Sequence, residues 1–282
     1  MIIIHKARFL TEYLAKQRNK GLSIGFVPTM GALHGAHISL VNQSAKECDI
    51  TVCSIFVNPT QFNDPSDYNK YPVTLESDIR MLAASQASVL YVPTASEVYT
   101  DGTSALEHYD LGYLDALLEG KFRPGHFQGV CQVMSRLLKT VDPDKLFMGQ
   151  KDYQQCMVIK WLLTQLNLKA LLVTCPTIRE SDGLAMSSRN MRLNAEQRGR
   201  APLIFRVLTG MKNKLAPGKL GDLKQEAIDE LNNGGFDVEY VEIANATTLQ
   251  PCSDWDGREP LVALTAAYLG EVRLIDNMLL NN

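Results

Sequence analysis

Apolar and polar positions change period repeatedly along the first two-thirds of the chain. Short β-branched runs stand at 23–27 (SIGFV), 50–57 (ITVCSIFV), 88–92 (SVLYV), 145–148 (KLFM) and 170–174 (ALLVT). Between them lie segments with apolar residues at helical spacing, at 9–21, 36–47, 74–85, 128–141 and 153–167. Gly21 and Pro143 supply stop signals near two of the helix ends. Such alternation predicts βαβ units and a parallel sheet covered by helices on both faces. Beyond Pro176 the rhythm changes. A polar loop runs to about Asn194, followed by helical segments at 195–215 and 221–232 and by alternating strands at 237–244, 261–269 and 271–279. This second pattern predicts a smaller unit with an antiparallel sheet.

The expected class is α/β: a Rossmann-like doubly wound parallel sheet over residues 1–178, with a smaller C-terminal α+β domain over 179–282. A chain of 282 residues with 45% hydrophobic and 21% charged residues fits an ordinary globular protein. Its net charge is −3 and its basic residues are interspersed with acids, which argues against a nucleic-acid partner. Ile2, Ile3 and Ile4 run directly into His5, Lys6 and Arg8, and no apolar stretch approaches the length of a membrane span. Neither a signal peptide, an anchor nor a membrane partner is expected. The six cysteines are scattered in apolar segments without a CxxC pair, the pattern of buried thiols in a reducing cytoplasm.

In a doubly wound sheet, ligands sit beyond the carboxyl ends of the strands, so the loops that follow strands are where chemistry is sought. The first of these, FVPTMGALHGAH, runs from a strand through Pro28, Thr29, Met30 and Gly31 into a helix with His34 and His37 in its first turn. Residues three apart share a helix face, and the helix N-terminus favours an anion, with phosphate the natural candidate. Zinc is the rival functional reading. However, the metalloprotease pattern spaces its histidines by four with a glutamate between, and no third ligand stands at a recognisable distance. Two histidines that only cap or pack are the structural alternative. The second loop, MGQKDYQQ, places Lys151 and Asp152 beyond a strand, suited to a phosphate and a ribose; taken alone, the dipeptide more often marks a solvated charge pair with Asp152 as helix cap. The third, GLAMSSRN, offers Ser187, Ser188 and Arg189 on a flexible loop able to wrap a polyphosphate, although a simple turn uses the same residue types. The Walker and GxGxxG signatures are absent, so any use of ATP relies on another architecture.

Taken together and in order, PTMGALHGAH, FVNPTQF, YP, RPGHF, GQKDYQQ and DGLAMSSRN resemble the HxGH nucleotidyltransferases, and within them the pantothenate synthetase family. The resemblance covers nearly all of residues 20–195. It implies a cytoplasmic, homodimeric ligase of pantothenate biosynthesis that condenses (R)-pantoate with β-alanine, using ATP and Mg²⁺, through a pantoyl-adenylate. It further implies that His34, His37, Lys151, Ser187, Ser188 and Arg189 surround the phosphates. Pro28, Thr29, Met30, Gly149, Lys151, Asp152, Ile178 and Met186 would bind ATP, and Gln61, Gln155 and Met30 would bind pantoate beside Phe62. No protein ligand is assigned to the metal. Neutral amides suit the pantoate hydroxyls because they do not pair off the carboxylate that must attack.

Arg123 and His126 could approach the site or form a turn, and Asp78 could support Mg²⁺ or simply occupy a helix start. The family reads His-x-Gly-His where this chain has His34-Gly35-Ala36-His37. Ala36 adds a methyl where the backbone would approach nucleotide, which implies a modest loss of affinity. Ala36→Gly is therefore expected to tighten ATP binding severalfold in a direct titration; an unchanged dissociation constant would refute that. The rivals to a ligase are a nucleotidyltransferase that releases its adenylylated product and a non-catalytic nucleotide-binding regulator. An aminoacyl-tRNA synthetase is disfavoured by the lack of a basic tRNA-binding region.

Overall fold

The computed structural model describes residues 1–62 and 68–281. By internal contacts the chain divides into two units, one of residues 1–150 and 154–176, the other of residues 151–153 and 177–282.

The first unit is built on six strands, β1 (Ile2–Ile4), β2 (Ile24–Thr29), β3 (Ile50–Ile55), β4 (Val89–Tyr91), β5 (Lys145–Gly149) and β6 (Leu171–Cys175), in spatial order β1-β4-β3-β2-β5-β6. Every pairing is parallel. Five of these strands coincide with the β-branched runs. β1 is an addition: its three residues are largely exposed and, among the described residues, pair with β4 at the sheet edge. The helices α1 (Ala7–Arg18), α2 (Gly35–Glu47), α3 (Leu75–Ala83), α4 (His126–Val141) and α5 (Tyr153–Gln165) match the helical spacing within two residues at nearly every end. Val27, Val41, Cys53, Leu82, Leu90 and Phe147 are among the buried side chains of one core cluster of this sheet.

Strand order reverses between β2 and β5, because the chain winds from β2 to β3 and β4 on one side and from β5 to β6 on the other. The two strands pair at Gly25–Lys145 and Phe26–Leu146, whereas β2 keeps pairing with β3 to Thr29, and β5 with β6 to Gly149. Pro28 accounts for this separation. The Ile24 carbonyl accepts from the Asp144 amide, and the Thr29 carbonyl from Phe56 on the β3 side. Even-numbered residues of β2 therefore face β5, and at position 28 a proline has no N–H to offer. The ladder stops there and the two strands part toward their carboxyl ends, where the ligand crevice of this architecture usually lies.

The second unit holds a two-residue ribbon, β7 (Gly218–Lys219) with β9 (Asp254–Trp255), and a three-stranded antiparallel sheet ordered β11-β10-β8, from β8 (Asp237–Asn245), β10 (Leu261–Leu269) and β11 (Val272–Leu279). Helices α6 (Ala195–Arg200), α7 (Leu203–Lys214) and α8 (Gly221–Asn233) accompany it. Leu208, Leu231, Ile243 and Ala263 are fully buried in its core. The helical stretch expected over 195–215 is broken at Pro202, whose ring cannot continue an α-helix interior. Residues 151–153 cluster here because Asn277 Nδ2 donates to the Lys151 carbonyl at 2.8 Å and Tyr153 Oη to the Ala246 carbonyl at 2.6 Å. Among the described residues, no helix is long and apolar enough to cross a membrane.

Candidate active site

In the first unit several candidate residues stand where β2 and β5 part. Pro28 and Thr29 end β2, Met30 follows, and Gly149 ends the neighbouring β5, where a Cβ would meet no protein atom within 4 Å. The Thr29 hydroxyl serves the fold: it donates to the Ser54 carbonyl at 2.7 Å and accepts from the Gly31 amide at 3.2 Å. His34 is the N-cap of α2, in extended backbone, one step outside the first turn where the sequence suggested it. His37 lies in that turn, with the ring centroids 4.0 Å apart. His37 Nδ1 accepts from the His34 amide at 3.3 Å, so the ring's proton sits on Nε2, the tautomer able to donate to a phosphate oxygen.

The approach to α2 is a strained turn, with Gly31 at φ 83° and Ala32 at φ 47°. An alanine in the left-handed region costs about 1 kcal/mol or more, so its surroundings must hold it there. Asp78 of α3 does so. Its carboxylate, 1% exposed, accepts from the amides of Ala32 at 3.0 Å and Leu33 at 2.9 Å, and from the Thr74 hydroxyl at 3.0 Å.

Gln61 sits in a 3₁₀ turn, Pro59–Gln61, and its side chain is oriented from both ends. Asn58 Nδ2 donates to Gln61 Oε1 at 3.2 Å, and Gln61 Nε2 points at Met30 Sδ, 2.9 Å away. Asn58, 1% exposed, is fixed by its bond to the Gly129 carbonyl at 3.1 Å and by the Tyr99 hydroxyl at 2.6 Å. His126 bonds the Gln61 carbonyl at 2.7 Å, and Arg123 Nη1 lies 3.1 Å from its Nε2, which gives RPGHF a structural use beneath the turn. Gln155 lies in the first turn of α5. Gly129 lets α4 approach closely: a Cβ there would sit 2.2 Å from the Thr60 carbonyl oxygen. Gly129→Ala is expected to push helix and turn apart and lower stability by about 1–3 kcal/mol. Thermal unfolding of the variant checks this, and a wild-type melting curve would refute it.

In the second unit Lys151 and Asp152 occupy the turn that continues from β5, with their charges 3.8 Å apart and Lys151 the more buried. The segment around Ile178 and Met186 is a hairpin rather than a featureless loop: Met186 N donates to the Ile178 carbonyl at 3.0 Å, and Arg179 bridges Ala185. Ser187 caps the following 3₁₀ turn, Ser188–Arg192, by accepting from the Arg189 amide at 3.2 Å. Ser188 is buried, and the side chains expected to meet phosphate thus stand on hydrogen-bonded backbone. Burial pushes the Cys53 and Cys131 thiols up to about 12, so neither is an ionised nucleophile at neutral pH.

Comparison with known proteins decides the family. The model described as pantoate-beta-alanine ligase matches residues 2–279. The chain belongs to the pantoate–β-alanine ligase family. Pantothenate synthetase of Porphyromonas gingivalis is 44% identical over 280 residues, 99% of each chain. That of Cytophaga hutchinsonii is 42% identical over 283 residues, again 99% of each. Among solved structures, pantothenate synthetase from Thermus thermophilus aligns with TM-score 0.91 at 36% identity over all of both chains. The pantoate-beta-alanine ligase from Francisella tularensis, crystallised with β,γ-ATP and β-alanine, aligns with TM-score 0.82 at 37% identity over 99% of this chain and 98% of that one.

Asn58 and Asp78, which brace the Gln61 turn and the approach to α2, are the residues that sequence reasoning left unassigned. Asn58 stands inside the FVNPTQF motif, which is itself a signal. For Asp78 the signal was an acid in a helix start, and the two amides it holds lie 45 and 46 residues away.

Proposed function

We propose that this ligase condenses (R)-pantoate with β-alanine in two steps on one ATP. The observation that carries the reading is the family match along the whole chain, joined to paired histidines at a helix N-terminus beside the β2–β5 crevice. A pantoate carboxylate oxygen attacks the α-phosphorus of ATP; the Pα–O bond to the β-phosphate breaks and pyrophosphate departs. The amine of β-alanine then attacks the acyl carbon of the pantoyl-adenylate, its proton passes to solvent, and AMP leaves.

Neither step calls for a protein nucleophile, and the elevated thiols of Cys53 and Cys131 suit that. The barrier lies in placing the reactants and in charge gathering on pyrophosphate. His34 and His37, backed by the roughly +0.5 charge of the α2 N-terminus, together with Lys151, Ser187, Ser188 and Arg189, are the donors assigned to that charge. Gln61 and Gln155 take the pantoate hydroxyls, with Met30, Pro28 and Phe62 against its methyl groups. Gly149 and Asp152 take the ribose, and backbone at Ile178 and Met186 the adenine. Mg²⁺, carried in with ATP as the metal–nucleotide substrate, would neutralise part of the phosphate charge. Asp78, 1% exposed, is taken up by the Ala32 and Leu33 amides and the Thr74 hydroxyl, a role in the turn rather than at the metal. Homodimeric assembly and a cytoplasmic location belong to the same reading.

The test is product analysis with ATP, Mg²⁺ and pantoate, with and without β-alanine. Catalytic AMP, pyrophosphate and pantothenate only when β-alanine is present support the ligase and its adenylate route. ADP would mean acyl-phosphate chemistry and overturn the mechanism. Tight ATP binding without turnover would favour a regulator.

A further inference from the structure

Strand β11 buries two adjacent polar residues, Asp276 and Asn277, at 4% and 2% exposure. A buried carboxylate needs a partner, and Asp276 has a two-pronged one. Arg179 Nη1 donates to its Oδ2 at 2.5 Å and Nη2 to its Oδ1 at 3.0 Å. Arg179 belongs to the 178–186 hairpin. Its Nη1 also donates to the Gly183 carbonyl at the hairpin's tip, 3.1 Å away, and its guanidinium lies 4.4 Å from the centre of the Phe205 ring. Asp276 Oδ1 further accepts from the Asn277 amide at 2.8 Å, and Asn277 Nδ2 donates to the Lys151 carbonyl at 2.8 Å.

Two neighbouring side chains of one strand therefore hold both the hairpin leading into Ser187–Arg189 and the main chain of Lys151. An ion pair buried this deeply is an inefficient source of stability, which directs attention to what it holds in place. We propose that Asn277, anchored by the Asp276–Arg179 pair, is a positioning residue for ATP binding: it fixes the backbone of Lys151 and so aims its ammonium at phosphate. This rests on the assignment of Lys151 as a phosphate contact.

A double-mutant cycle on the full-length chain tests it, with ATP affinity measured by titration calorimetry for wild type, Asn277→Ala, Lys151→Ala and the double variant. Asn277→Ala is expected to weaken ATP binding about tenfold in the wild-type background and less than twofold in the Lys151→Ala background, where no ammonium remains to aim. A merely structural role would cost the same factor in both, and that result, or an Asn277→Ala affinity within twofold of wild type, overturns the proposal. Asp276→Asn, which keeps the shape and an oxygen for Arg179, should weaken ATP binding by less than Asn277→Ala. The reading is separable from the ligase assignment: a wild-type chain that binds ATP but forms no pantothenate removes the ligase and leaves the cycle intact. A wild-type chain that binds no ATP removes both.

Discussion

Lys151→Ala is expected to reduce turnover in pantothenate formation by about 10²- to 10³-fold, the usual cost of deleting one preorganised donor to developing charge. The fold should survive, because the structure engages Lys151 through its main chain: the bond from Asn277 goes to the carbonyl, which alanine retains. The side chain's own ion partner, Asp152, stands 3.8 Å away and is half exposed, so its loss costs little stability. The assay is AMP release with all three substrates, alongside circular dichroism and thermal unfolding. Unchanged turnover would remove Lys151 from the mechanism. His34→Ala is expected to act in the same direction, its backbone remaining to donate to His37.

Asp78→Ala should be more damaging to the fold than any change to a phosphate contact. It strands two buried amides, those of Ala32 and Leu33, at roughly 1–3 kcal/mol each, and removes the carboxylate that holds Ala32 in the left-handed region. Turnover should fall with stability, since the turn sets where α2 begins and therefore where His34 stands. Asp78→Asn separates the two effects. It retains one acceptor but turns an NH₂ toward a donor, so it is expected to fold with a lower melting temperature and reduced turnover. If Asp78→Asn matched wild type in both, the carboxylate would not be what holds the turn.

Much of the fold was legible because central parallel strands buried on both faces read as largely apolar runs, as SIGFV and ITVCSIFV do. Ile2–Ile4 escaped because three residues at a sheet edge acquire meaning only from β4, 87 positions away. Helix 195–215 was overextended because periodicity continues across Pro202 while the backbone cannot. Among the candidate residues, His34, His37, Lys151 and the Ser-Ser-Arg turn announce themselves by local spacing. Asp78 and Asn277 do not: each holds backbone distant in sequence, and a buried Asn or Asp in isolation reads as any turn residue.

The imino acid at position 28 sets a trade of stability against function at one backbone atom. Any other residue there would restore an N–H on the side of β2 that faces β5, and the seam between the two strands would tend to knit further along. Such a change adds a hydrogen bond to the sheet and narrows the slot beyond it. Because proline forbids that bond covalently, the slot persists whether or not anything occupies it, and a ligand arriving there need not prise the sheet apart.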